Sequence, residues 1–227
     1  MCSLPIVDIT KFSFQDYPEK TSCIVWFGGC NFNCPYCHNP ELVFPKSKNF
    51  LKEEKVFNFL RERVGLLDGV VLSGGEVTLN DIYDFVKKIK SMGFLIKIDT
   101  NGSNPILIKH LLDDSIVDFI ALDYKSPKEK FNLFTKESFD KFNETLFLVI
   151  NSSIEHEIRT TIHTKILDET DINKIIEHLE DLNFKRKYAI QNFKNTKTLK
   201  EDFGEQKRII NNDLIKKTSF EIVYRNF

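Results

Sequence analysis

No run in this chain approaches the about 20 consecutive apolar residues that a membrane span needs, so none is expected. Charge of one sign is lacking too. The 32 Lys and Arg against 33 Asp and Glu leave a net charge of −1, which removes the electrostatic case for nucleic acid or an anionic membrane surface. The first residues lack a basic stretch followed by an apolar one, and no signal peptide is read. Neither an internal repeat of fixed period nor a low-complexity linker is visible, and 227 residues suffice for one α/β domain with a large core. The expectation is a single cytoplasmic domain over 1–227. Cysteine is scarce, and three of the five fall within eight residues, which is no disulfide framework. Phenylalanine is not scarce: 21 of them imply a core built with bulky aromatics and say nothing of function.

The three crowded cysteines are Cys30, Cys34 and Cys37, at i, i+4 and i+7 of a short polar loop. They follow an apolar run (24–27) and the pair Gly28-Gly29. Three thiolates this close can ligate three irons of one iron–sulfur cube, leaving the fourth iron to something that is not protein. Zinc is the plainer alternative, but structural zinc usually takes four protein ligands. No fourth cysteine stands nearby, and His38 would be squeezed against Cys37. Cys2 and Cys23 read as bystanders, the latter as a small apolar residue inside a strand.

Strand and helix signals alternate along the chain. Strands are expected at 22–27, 69–73, 94–98, 117–122, 155–162, 187–191 and 220–224. Helices are expected at 51–63, from Thr78 onward, and at 105–112, 136–150, 171–182 and 199–217, the last charged and partly exposed. Six strand–helix units between about 22 and 192 argue for a parallel sheet with helical crossovers. That is too few for a closed eightfold barrel, so the fold expected is α/β, an open partial (β/α)6 barrel. A doubly wound flat sheet has the same alternation and stays open at this point. The core is placed at about 20–193, with 194–227 a divergent C-terminal segment.

Unusual polar residues gather where the strands end. The cysteines follow the first strand, Ser73-Gly74-Gly75-Glu76 the second, Asp99-Thr100-Asn101-Gly102 the third, and Asp123 with Lys125 the fourth. Parallel barrels and open α/β sheets alike build their sites from loops at the carboxyl ends of strands. Each piece also has a plainer reading. Gly74-Gly75-Glu76 can be a strand-to-helix turn, 99–102 is good turn sequence, and Asp123 with Lys125 can be a surface ion pair of little worth. His163 reads as a surface residue at a strand end, and His110, His156 and His178 carry no signal.

Taken together, Cys30-x3-Cys34-x-Tyr-Cys37-His-Asn, Ser-Gly-Gly-Glu76, Asp-Thr-Asn-Gly102 and Leu-Asp-Tyr-Lys125 resemble the radical S-adenosylmethionine activases of glycyl radical enzymes. The resemblance is strongest to the anaerobic ribonucleoside-triphosphate reductase activating proteins. It runs from about residue 8 to about Phe193 and includes Lys11-Phe-Ser-Phe-Gln-Asp-Tyr-Pro18 and Arg-Thr-Thr161. Val77 departs from it, standing where many members carry Pro.

The resemblance implies a 4Fe–4S cluster on Cys30, Cys34 and Cys37, with S-adenosylmethionine on its open iron. It implies that Tyr36 lies near the adenine and that Gly74, Gly75 and Glu76 bind the methionyl amino group. Asp99, Lys125 and, by a looser match, Arg159 would contact the cofactor. Asp99, Thr100 and Asp123 would hold a monovalent cation beside it. The implied reaction is reductive cleavage of S-adenosylmethionine to a 5′-deoxyadenosyl radical, which takes a hydrogen atom from a glycine of a partner enzyme. The implied partners are anaerobic ribonucleoside-triphosphate reductase and a one-electron reductant such as flavodoxin or ferredoxin. The competing readings are an activase of a formate-lyase-type enzyme, a small-molecule enzyme such as 7-carboxy-7-deazaguanine synthase, and a non-enzymatic iron–sulfur or zinc module.

Overall fold

The computed structural model describes residues 3–46, 49–195, 198–200 and 203–227; Cys2 lies outside the described residues. One eight-stranded sheet organises the chain, in the order β1 (Ile6–Ser13), β2 (Ser22–Phe27), β3 (Gly69–Gly74), β4 (Leu95–Thr100), β5 (Phe119–Asp123), β6 (Glu155–Ile162), β7 (Lys187–Asn192) and β8 (Glu221–Arg225). Only the β1–β2 pair is antiparallel; every pair from β2 to β8 is parallel. The helices are α1 (Pro40–Val43), α2 (Glu53–Arg61), α3 (Tyr83–Ser91), α4 (Pro105–Asp113), α5 (Phe139–Ile150) and α6 (Glu169–Asp181).

Strand order separates the partial barrel from the doubly wound sheet. A doubly wound sheet reverses direction part-way, whereas here each parallel strand is added beside the last. Crossovers of one hand that all step the same way put their helices on one face. The other face must then close on itself, as in a partial barrel. Residue patterning agrees. Val25, Leu72, Ile96, Ile98, Ile120, Leu122 and Ile158 join the helices in the main core. The alternate positions Ile24, Val71, Phe119 and Ala121 form a second, smaller cluster with Tyr17 on the opposite face. Further along that inner face the side chains change character, to Lys97, Asp99, Asp123, Glu157, Arg159, Gln191 and Arg225.

The sheet has one unexpected strand, β1, and the strand expected at 220–224 is β8. Two expectations need correction. No helix starts at Thr78: Glu76 caps a single 3-10 turn at Val77–Leu79, and α3 begins at Tyr83. Among its described residues, 199–217 holds no α-helix. Gly204 adopts φ 75, which breaks a helix, and only a 3-10 turn at Asn212–Leu214 follows. The segment is instead a strap tied to the body. Lys200 N donates to Pro35 O (3.2 Å), Thr164 N to Gln206 Oε1 (3.0 Å), and Arg208 forks onto Glu169. Among the described residues, no helix is long and apolar enough to cross a membrane.

Candidate functional site

Parallel strands deliver their following loops to one end of the sheet, and the residues that the sequence motifs single out line one cavity there, of about 460 Å³. Cys30, Cys34 and Cys37 form one wall, with Tyr36 between them. Gly74, Gly75 and Glu76, then Asp99 and Thr100, then Asp123 and Lys125, then Arg159 continue round it. Thr161, Gln191, Asn192, Lys194 and Asn226 complete the far side. A larger cavity, about 700 Å³, lies between α1 and the strap, lined by Pro40, Phe44, Phe193 and Gly204 among others. The dense set of ionisable groups is in the smaller one.

Three neighbouring loops and strand β6 hold the cysteine loop. Glu76 N donates to Gly29 O (2.7 Å) and Gly75 N to Phe27 O (2.8 Å). Asn31 Nδ2 donates to Ser103 Oγ (2.9 Å), and Asn101 Nδ2 to Asn31 Oδ1 (2.9 Å). Asn33 N donates to Phe134 O (2.7 Å), and the Tyr36 hydroxyl to Thr161 O (2.9 Å). Burial pushes the Cys30 thiol up to about 11 and the Cys34 thiol up to about 12. Such thiols ionise only with a metal to stabilise the thiolate. Among the described residues, no three Cys, His, Asp or Glu side chains converge on a single ion. A cube spreads its thiolates over three irons, which matches three cysteines in one loop. The donor set fits a cluster.

Glu76 is engaged by the loops around it. It is buried and accepts four bonds from its own chain: Thr78 N (3.0 Å), Thr78 Oγ1 (2.5 Å), Thr100 Oγ1 (2.7 Å) and Asn101 N (2.7 Å). Burial raises its pKa and these bonds oppose the rise. Glu76 thus staples the loop after β3 to the loop after β4.

The inner face carries a chain of alternating charge. Arg159 Nε donates to Asp123 Oδ1 (2.9 Å), and its Nη1 lies 3.6 Å from Asp99 Oδ1. Lys125 Nζ donates to Asp123 Oδ2 (2.9 Å), Lys97 pairs with Asp99, and Ser73 Oγ donates to Asp99 Oδ2 (3.0 Å). Burial alone would push Asp123 up, but the Arg159 and Lys125 charges hold it at about 2. Burial likewise works against ionised Asp99, yet Arg159 and Lys97 keep its pKa below the ordinary value.

Of the three residues expected to hold a monovalent cation, Asp99 and Asp123 flank the Arg159 guanidinium, and Thr100, one residue on in the strand, turns its hydroxyl to Glu76.

His163 differs from expectation: it is fully buried, not on the surface. Its ring stacks on Tyr36 (6.1 Å between centroids) and meets Phe193 (4.8 Å) and Phe203 (4.4 Å). It joins the cysteine loop to the strap. Lys97, Glu157, Gln191 and Arg225 belong to the inner face without any motif to announce them. The available signal is period-two spacing, Lys97 with Asp99 and Glu157 with Arg159, inside strands that otherwise read as apolar.

The model of the Radical SAM superfamily matches residues 24–220 of this chain. The chain belongs to the Radical SAM superfamily. It is a radical SAM oxidoreductase, and its cofactors are those of the family, a 4Fe–4S cluster and S-adenosylmethionine. Membership sets aside the zinc and simple iron–sulfur module readings. A Methanocaldococcus jannaschii protein assigned as a glycyl-radical enzyme activating enzyme is 34% identical to this radical SAM chain over 206 residues. The match covers 86% of this chain and 82% of that protein. The pyruvate formate-lyase-activating enzyme of Clostridium pasteurianum is 29% identical over 169 residues, 70% and 69% of the two chains. Among solved structures, anSMEcpe with bound AdoMet superposes with a TM-score of 0.59 at 22% identity. That match covers 74% of this chain but 49% of the other, so this chain spans about half its length, and the likeness is one of fold.

Proposed function

We propose that this radical SAM enzyme activates a glycyl radical enzyme, with anaerobic ribonucleoside-triphosphate reductase as the partner and a flavodoxin- or ferredoxin-type protein as the electron source. The observation that carries the activase reading is the M. jannaschii relative, similar over 86% of this chain and named for that activity. The choice of reductase rests on the sequence resemblance, chiefly Cys37-His-Asn-Pro-Glu-Leu-Val43 and Asp99-Thr-Asn-Gly-Ser-Asn-Pro105. A cytoplasmic, single-domain protein over 1–227 completes the reading.

When bound, the cluster and S-adenosylmethionine supply the one-electron chemistry that removes a hydrogen atom from the partner's glycine. The chain's part is to hold and shield. Cys30, Cys34 and Cys37 would hold the cluster as thiolates. Arg159 and Lys125, each already balanced by Asp123, present partly buried positive charge to a carboxylate ligand. Gly74 and Gly75 add no side chain to the wall between that charge and the cysteines. Tyr36, fixed by its bond to Thr161 and by the rings around it, gives a dry aromatic surface for a base. A partner glycine, without a Cβ, reaches the cavity through its open mouth.

Anaerobic incubation of reconstituted enzyme, reductant, S-adenosylmethionine and the reductase should produce a glycyl-radical EPR doublet. Cofactor cleavage without that doublet would reject this partner, and the same assay with a formate-lyase-type enzyme decides between the two. Cys30→Ala, Cys34→Ala and Cys37→Ala should each abolish cleavage; full cleavage in any of them would refute the cluster assignment.

A further inference from the structure

We propose that Arg225, on the last strand, is a positioning residue of the cofactor site: by gripping Glu157 it keeps Arg159 between Asp99 and Asp123. The inference rests on the reading of Arg159 as part of that site. Arg225 Nη2 lies 2.8 Å from Glu157 Oε2 and Nη1 3.2 Å from Oε1, a two-pronged fork across 68 residues of sequence. The fork spans a whole strand. Arg225 pairs in register with Gln191 on β7, and Glu157 on β6 pairs with Lys187. Between those two β7 positions on the same face lies Ala189, whose small side chain leaves the guanidinium room to pass.

Glu157 is the reason the fork matters. Its side chain is 7% exposed, and a buried carboxylate must find a cation. Among the described residues only two stand within reach: Arg225, and Arg159 Nη1 at 4.0 Å from Oε1. Arg159 is shared three ways, 2.9 Å from Asp123, 3.6 Å from Asp99 and 4.0 Å from Glu157. Without Arg225, the uncompensated Glu157 draws Arg159 toward itself and away from Asp123. Lys125, which shares Asp123 with Arg159, loses its fixed counter-ion geometry in turn. A second observation ties the strand end to the site: Asn226, turned by its φ of 63, lines the cofactor cavity.

The test is calorimetric binding of S-adenosylmethionine to the reconstituted full-length enzyme, which reads affinity and not turnover. Arg225→Ala should weaken binding roughly tenfold, and adding Glu157→Gln to it should recover most of the loss, because the pair is coupled. Glu157→Gln alone should bind within about twofold of wild type, since no buried charge is stranded. Arg225→Lys, which keeps charge but not the fork, should fall between. Unchanged affinity in Arg225→Ala, or no recovery in the double variant, overturns the proposal. Should Arg225→Ala not fold, wild-type affinity in Arg225→Lys overturns it. Arg159→Ala in the same titration tests the underlying reading. Normal affinity there rejects the site assignment; lost affinity there with normal affinity in Arg225→Ala rejects only the role of Arg225.

Discussion

Gly75 lies so close to Gly29 that a Cβ at position 75 would sit 2.0 Å from the Gly29 carbonyl oxygen. The neighbouring Gly74 is equally confined, with a Cβ there 2.4 Å from Phe27 O and with φ at 126. The glycine pair at the end of β3 is therefore fitted to the backbone that leads into the cysteine loop.

Gly75→Ala should displace that loop, because the atom it strikes is backbone and cannot swing aside. The expected cost is about 1–3 kcal/mol in urea unfolding of the metal-free protein, with sub-stoichiometric iron after reconstitution. Gly29→Ala is the contrast: a Cβ there meets nothing within 4 Å, so only its φ of 90 is penalised, at about 1 kcal/mol. Full iron loading in Gly75→Ala would show the contact to be dispensable.

Glu76→Gln should destabilise the protein before any ligand is added. The carboxylate accepts on both oxygens, and an amide nitrogen must replace one of them opposite a donor, either Thr78 and Thr100 or Asn101 N. A loss of about 1–3 kcal/mol is expected for the metal-free protein. Wild-type stability with lost cofactor binding would instead assign Glu76 to the ligand alone.

Asp123 and Glu169 are each held at about 2, below their ordinary values of 3.8 and 4.5. For Asp123, burial opposes this, and the Arg159 and Lys125 charges prevail; for Glu169 the Arg208 hydrogen bond leads. A folded-state pKa below the unfolded one adds stability that is full above about pH 4.5 and lost as pH falls through about 2. The metal-free protein should therefore weaken steadily across that window, and Glu169→Gln should flatten part of the slope. An acid profile identical to wild type in Glu169→Gln would contradict the strap's ion pair.

Cys23→Ala should keep full iron content while losing about 1 kcal/mol of stability, since its thiol is packed in the main core within β2. Loss of iron in this variant would reopen the ligand assignment.

Much of this site is legible in the amino-acid sequence. Cys30, Cys34 and Cys37 lie in one short loop, so their proximity follows from covalent spacing. The strand ends expected at 73, 98 and 122 fall within two residues of the observed ends at Gly74, Thr100 and Asp123, because a change from apolar run to polar turn is a local signal. Lys97 and Glu157 escape notice because a lone charge in an apolar strand looks like noise until its partner is known. The strap imitates an exposed helix because Phe203, Ile210 and Ile215 are scattered apolar positions among charged ones, yet each packs singly against the body.

What the amino-acid order determined by itself was the inventory: three cysteines crowded in one loop, strand-end loops, and a fold of repeating strand and helix, all carried by spacings of a few residues. Only the tertiary structure decided that Gly75 presses on Gly29, that Arg159 stands between two aspartates of different strands, and that Arg225 reaches Glu157 over Ala189. Those relations depend on strand order and register, which arise from pairing between segments far apart in the chain and leave no periodic trace in either segment alone.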